Sequence, residues 1–250
     1  MRGWLRGGAF ALTLISIWAV ASKMANSPLA PSPLAVFEAL AKGMTSGVLP
    51  TAIATSIGRL FVGYGSSLVA GIAIGLLIAR SKVAKELAGP LILGLGSVPS
   101  ICWLPLAILW FGLSEWAIQS VVILGAGLPI AVATEGAIRQ VPPQVVRAAR
   151  TMGARGPRLW LEVILPAAFP GILSGARLGW TFALRSLMAG ELLFVSGGLG
   201  QVLETGRDLG DISLVLAVVV VLVAIGRASE WLLFGRLERE VTRRWGLEVA

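Results

Sequence analysis

A chain of 250 residues that is 56% apolar and only 14% charged is not a soluble domain, in which about a quarter of residues carry charge. Several apolar runs of about 20 residues place it in a membrane, and the length suits five or six spanning helices with short loops and no separate soluble domain. The net charge of +8 then describes topology and not nucleic-acid binding, and a lone cysteine, Cys102, with no histidine leaves no internal disulfide and no cysteine- or histidine-based metal site.

In chain order, residues 8–25 form the first apolar segment, behind Arg2 and Arg6. Ala19-Val20-Ala21 offers a small-residue cleavage pattern, but an uncleaved helix is favoured, because it gives an even number of spans. Residues 26–50 form a proline-rich outer loop, with a short interfacial helix over Leu34 to Met44. The second span covers about 51–79, interrupted only by Arg59 and glycines. Arg80, Lys82 and Lys85 follow in a short loop. The third span, about 87–112, contains Pro90, Pro99 and Pro105. Each removes a backbone hydrogen bond that a neighbour or water must replace, so a kinked or interrupted helix facing the protein interior is expected. The fourth span is about 116–134, with Pro129 inside it. The fifth is about 166–188 and the sixth about 212–234. Between these two, Glu191 to Asp211 reads as an outer loop rich in glycine and acid. The 31 glycines suit close helix–helix approach in lipid. The fold class is thus an all-α membrane protein of six spans in one domain, residues 1–250.

One polar stretch, about 139–165, lies between the fourth and fifth spans. Pro142-Pro143 pre-sets φ for a helix start, and a helix reads from Gln144 to Met152. Gly153 supplies the left-handed residue that ends it. Pro157 starts a second helix through Trp160 and Glu162, and Leu165-Pro166 leads into the next span. Val145, Ala148, Ala149 and Met152 fall at i, i+3, i+4 and i+7, one apolar stripe bordered by Arg147, Arg150, Arg155 and Arg158. Two readings remain open. The stripe docks into a groove on a partner protein, or the segment lies on anionic headgroups.

The same stretch carries a family resemblance. Arg147-Ala148-Ala149, three residues, Gly153, nine residues, then Val163-Ile164-Leu165-Pro166 resembles the EAA loop of bacterial ABC-importer permeases, Glu-Ala-Ala-x3-Gly-x9-Ile-x-Leu-Pro. Arg147 stands where that pattern has Glu, and Val163 where it has Ile. Val98-Pro99, Leu104-Pro105-Leu106, Leu109 to Gly112 and Ala167 to Gly175 resemble the nitrate, sulfonate and taurine branch of that family, over roughly residues 50–245. The resemblance implies several partners. These are two ATPase subunits, a second permease copy as a homodimer, and an extracytoplasmic solute-binding protein. It implies that ATP and magnesium are bound by the ATPases and that this chain binds no cofactor. The coupling residues are then Gln144, Arg147, Ala148, Ala149, Arg150, Met152, Gly153, Ala154, Leu165 and Pro166. The solute would be a small anion such as a sulfonate, taurine or nitrate, and the location the bacterial cytoplasmic membrane.

Orientation follows from counting basic residues. Arg2, Arg6, Arg80, Lys82, Lys85, Arg139, Arg147, Arg150, Arg155, Arg158, Arg236, Arg239, Arg243 and Arg244 lie on one side. Lys42 and Arg207 lie on the other, with Lys23 near the border. The first side, with both termini and the docking stretch, is therefore cytoplasmic. The chain has no Gly-x4-Gly-Lys-Ser/Thr run, so energy must come from elsewhere. Intramembrane ionisable residues are functional candidates because isolated charges in hydrocarbon are costly. Arg59, Arg177, Arg185 and Arg227 qualify, although snorkelling or pairing with an acid such as Glu230 explains several of them equally. Arg177, Trp180 and Arg185 fall near one helical stripe that can line an anion pathway. Trp103 either joins them or belongs to an interfacial belt, Ser97 and Ser100 flank Pro99, and Trp110 fits the belt better. Glu191 reads as a gate, a support for Arg185 or a plain outer-loop acid. The competing class is an ion-coupled secondary transporter, which needs an intramembrane acid, and no central one is present. An embedded enzyme is disfavoured by the lack of histidine and paired acids.

Overall fold

The computed structural model describes residues 2–25, 27, 29–192 and 197–245, all helical or in connecting turns; Pro28 and the side chains of Arg2, Arg6, Arg236 and Arg244 lie outside the described residues. By proximity the chain divides into two units, Met1–Ser56 with Val195–Ala224, and Ile57–Phe194 with Ile225–Ala250.

The first unit holds α1 (Arg2–Ala25), α2 (Pro33–Thr45), α10 (Leu199–Asp208) and the start of α11 (Ile212–Ser229). Ser32 caps α2, its Oγ accepting the Ala35 N–H at 3.2 Å, with proline in the first turn as the cap chemistry prefers. The Trp18 indole N–H donates to the Pro31 carbonyl at 3.2 Å and fixes the α1–α2 corner. The stretch read as a loop after Glu191 instead contains α10. Its Leu199 and Gly206 are buried at i and i+7, and the Leu199 N–H is held by Ser56 Oγ at 2.8 Å. A turn at Gly210, φ +68°, then leads to α11, whose Leu214 N–H is capped by Asp211 at 3.0 Å.

The second unit is built around α6 (Glu115–Arg139), which packs between the inner part of α3 (Val48–Arg80) and α9 (Leu165–Glu191). Glycine makes both contacts possible. A Cβ at Gly71 would lie 2.7 Å from the Gly127 carbonyl oxygen, and one at Gly75 would lie 2.6 Å from that of Ala131. On the other side Gly171 and Gly175 oppose Ala137 and Ala133. Small residues every four positions let two helices meet nearly backbone to backbone, which in lipid is a main source of association. Ile118, Val122, Ala126 and Ile130 of α6, all fully buried, form the core with Trp180, Ala183 and Leu187 of α9.

Among the described residues four helices are long and apolar enough to cross a membrane: Val48–Arg80, Glu115–Arg139, Gly156–Glu191 and Ile212–Glu240. The expected third span is a bent pair, Lys82–Gly96 and Ser100–Phe111, turning by 101°, and as one span it makes five. The apolar part of α1, Leu12–Ala25, is shorter than a span among the described residues. The third span is thus fully broken and not merely kinked. α4 (Lys82–Gly96) stops at Ser97, one 3₁₀ turn covers Ser100–Trp103, and α5 (Leu104–Phe111) continues. Pro99 forces Val98 away from the helical region and itself sits at φ −55°, ψ 135°. In the single chain much of this segment is exposed and not interior: Leu109 is 78% and Trp110 65% exposed.

Candidate translocation site

The break in the third span opens a cavity of about 280 Å³. α4 ends on it with Leu95, Gly96 and Ser97, and the 3₁₀ turn adds Ser100 and Trp103. α6 contributes Gly125 and Pro129, and α9 contributes Phe182 and Arg185. Pro129 has no N–H for the Gly125 carbonyl four residues back, so α6 carries a freed acceptor at the cavity wall. Arg185 is exposed, has no acidic partner among the described residues, and lies 6.0 Å from the Phe182 ring centre. A guanidinium, two hydroxyls and two aromatic rings can bind a small anion that also carries an apolar part. Ser97 Oγ is already spent on the Gly94 carbonyl at 2.7 Å, but a hydroxyl oxygen still accepts.

The structure brings Ser97, Ser100, Trp103 and Arg185 together and places Arg59, Arg177 and Trp180 elsewhere. Trp180 is buried in the core. Its ring meets Tyr64 at 5.0 Å and Phe61 at 5.6 Å, and its N–H donates to Ser229 Oγ at 2.8 Å. Arg177 pairs with Glu230, and with Glu238 at 2.8 Å. The expected common stripe fails on geometry. At about 100° per residue, Arg185 lies about 140° around α9 from Trp180. Arg59 is 7% exposed and is held by Glu115 and, at 2.9 Å, by Glu191. Glu191 is therefore neither a loop acid nor a support for Arg185. It is 1% exposed, at the end of α9, and is Arg59's counter-ion. Sequence reading missed Phe182, although its i−3 spacing from Arg185 on a helix was a usable signal.

The polar stretch folds as two short helices around a glycine turn. α7 (Pro143–Thr151) begins at the Pro pair and ends before Gly153, at φ +92°. After a second left-handed glycine, Gly156 at φ +54°, α8 (Gly156–Leu159) runs through a π turn at Trp160–Ile164 into α9 without a break at Leu165–Pro166. Pro166 offers no N–H, and the wider turn just before it accommodates that loss. The apolar stripe is split. Ala149 is 3% exposed, and Val146 packs against the cluster of Ala137 and Ile138, while Val145 (42%) and Met152 (82%) remain exposed. Gln144, Arg147, Ala148, Arg150, Arg155 and Arg158 are exposed around them, Ala154 is half-buried, and Leu165 and Pro166 are half-buried at the start of α9.

Apolar helices long enough to cross a membrane, a broken helix beside a partly polar cavity and a short exposed helix–turn–helix are the features to set against known proteins. The chain matches the family of binding-protein-dependent transport system inner membrane components over residues 71–241, and it belongs to that family. It is 31% identical to the taurine transport system permease protein TauC of Escherichia coli K12, with 97% of this chain and 90% of that one aligned. It is 29% identical to a Bacillus subtilis chain named as the aliphatic sulfonates transport permease protein SsuC, over 97% and 88% of the two chains. In structure it resembles the MetNI methionine ABC transporter in an inward-facing conformation, with TM-score 0.69 over 78% of this chain and 96% of that one, at 24% identity. The protein is thus the membrane-spanning permease subunit of an ABC importer, the class that works with ATPase and binding-protein partners.

Proposed function

We propose that two copies of this chain form the translocation pathway of an importer in a bacterial cytoplasmic membrane, and that the solute is a small anion: a sulfonate, taurine, nitrate or a relative. Each copy is a single permease domain crossing the membrane six times, with both termini in the cytoplasm. A solute-binding protein delivers the solute from outside. Residues 139–165 dock onto one of two ATPase subunits, which hold ATP and magnesium, and their closure pushes α7 as a lever that rocks the spans between outward and inward openings.

The observation that carries the solute class is Arg185, a guanidinium with no acidic partner among the described residues, at the only break in the described spans, beside Ser97, Ser100 and Trp103. A charge kept in that position without a counter-ion is costly unless a ligand or water meets it. The names of two relatives, for taurine and for aliphatic sulfonates, point the same way. Arg59, Arg177 and Trp180 are assigned to structure and not to solute, because each is engaged elsewhere.

The test is uptake of labelled taurine and ethanesulfonate into vesicles containing the reconstituted permease, ATPases and binding protein. ATP inside the vesicle should drive uptake without an ion gradient. Arg185→Ala should lower it at least tenfold while leaving the complex assembled, and Arg185→Lys should restore part of it. Uptake that follows an ion gradient and ignores ATP would establish ion-coupled transport instead. Full activity in R185A would remove Arg185 from the pathway.

A further inference from the structure

A second cavity, of about 340 Å³, lies on the seam between α4 and α6. The two cavities use successive turns of the same helices. On α6 the first takes Gly125 and Pro129 and the second takes Ala131, Glu135 and Arg139. On α4 the first takes Leu95 and Gly96 and the second takes Lys85, Glu86 and Pro90. From Gly125 to Glu135 is ten residues, about 15 Å of helix. The second cavity repeats a device of the first, since Pro90 cannot bond the Glu86 carbonyl, just as Pro129 cannot bond that of Gly125. Its walls, including Ile78, Ile92 and Leu93, are apolar.

One carboxylate oxygen organises its charged end. Glu135 Oε1 lies 3.8 Å from Lys85 Nζ on α4 and 3.4 Å from Arg139 Nη1 on its own helix. Both distances exceed the roughly 2.7–2.9 Å of a well-made charged hydrogen bond. Glu135 is 18% exposed while Lys85 is 41% and Arg139 58% exposed. The carboxylate therefore sits inside the cavity and the two cations reach in from its mouth. Glu86 lines the same cavity and has no ion-pair partner among the described residues.

We infer that Lys85 and Arg139 form a second anion site, at the cytoplasmic mouth of the pathway, whose resting occupant is the Glu135 carboxylate. This rests on the proposed function, in which the Arg185 cavity is part of the solute pathway. An anion leaving the Arg185 cavity meets two cations that a loosely held carboxylate already occupies. It takes over those contacts as Glu135 swings aside, and Glu135 then reclaims them and expels it. Such a site releases its ligand because it carries its own competitor. Glu86 adds a second negative charge, so the site favours a monoanion with an apolar portion, a sulfonate or carboxylate, over a dianion.

The experiment measures equilibrium binding of radiolabelled ethanesulfonate to the detergent-purified permease–ATPase complex. Glu135→Gln keeps the side-chain shape and removes the competitor. It should bind the probe at least tenfold more tightly than the natural chain. Adding Lys85→Met and Arg139→Met should abolish that gain, and Arg185→Ala should leave it intact. ATP-driven uptake supplies a second readout: K85M/R139M should lose at least fivefold in maximal rate with little change in half-saturation. Unchanged affinity in E135Q, a gain that survives K85M/R139M, or normal uptake in K85M/R139M would overturn the exit site. If R185A alone stops uptake while E135Q binds as the natural chain does, the pathway reading stands and the exit site falls. A gain in E135Q with normal uptake in R185A has the opposite meaning.

Discussion

Arg59 and Glu191 are 7% and 1% exposed and pair at 2.9 Å inside an apolar bundle, while Arg59 also reaches Glu115, whose side chain is 60% exposed. Breaking such a pair from one side leaves an uncompensated buried charge and costs about 3–5 kcal/mol, whereas removing both charges is far less damaging. Arg59→Met should therefore destabilise the detergent-purified chain strongly, and R59M/E191Q should recover at least half of the loss. Thermal unfolding gives the order natural chain, double variant, single variant. Equal melting of the two variants would show that leaving Glu191 without Arg59 carries no penalty. The exposed Arg207–Glu204 pair is the contrast, since surface pairs contribute about 0–1 kcal/mol and R207Q should melt almost normally. Sequence reading finds these arginines because charge stands out in an apolar run. It cannot sort them, because the sorting depends on partners far along the chain, 132 residues apart for Arg59 and Glu191. Arg185 is distinguished from Arg177 only by which side of α9 meets the core, and one helix's sequence does not state that.

The glycine contacts along α6 act at the scale of whole helices. A methyl group at Gly71 or Gly75 would press on backbone carbonyls of α6, at 2.7 and 2.6 Å, and backbone cannot rotate out of the way. G71A and G75A should each cost about 1–3 kcal/mol as overpacking. Gly58, on the same helix, has nothing within 4 Å of an added Cβ. There alanine removes only the glycine penalty, and G58A should be neutral or stabilising by up to about 1 kcal/mol. Chemical unfolding of the three variants checks both signs, and destabilisation of all three alike would mean that α3 tolerates no change for some other reason. This contrast also marks what was legible. The number of glycines suggested close packing, but not which of them carry it. The helix α7 and its end at Gly153 were readable, because Pro-Pro and a left-handed glycine are local signals. The helix α10 was not, because glycines at both ends and a short apolar period read as loop, and its order comes from Ser56 far away in sequence. The broken third span was half legible: prolines mark the weak point, and the 101° turn belongs to the packing around it.

For the whole molecule the question is how force on a surface helix reaches the cavity. α7 has two faces with different jobs. Ala149 is buried, and Val146, one turn before it, packs against the cluster of Ala137 and Ile138 of α6, while Val145 and Met152 stand exposed. α6 runs from that contact to Pro129 and Gly125 at the Arg185 cavity, so a push on α7 acts on a helix that lines this cavity. The two faces should separate by substitution. Ala149→Leu should unfold or weaken the permease itself, since overpacking a closed contact is destabilising. Met152→Lys, at 82% exposure, should leave melting unchanged yet lower recovery of the ATPase subunits in co-purification at least fivefold. Gly153 tests the turn between the helices. At φ +92° a β-branched residue is strained whereas asparagine tolerates left-handed backbone better. ATPase recovery should therefore fall in the order glycine, asparagine, valine. Loss in M152K and G153V with intact permease would make α7 the ATPase contact. Full recovery in both would return the segment to the headgroup surface, where basic residues around an exposed apolar stripe are equally at home.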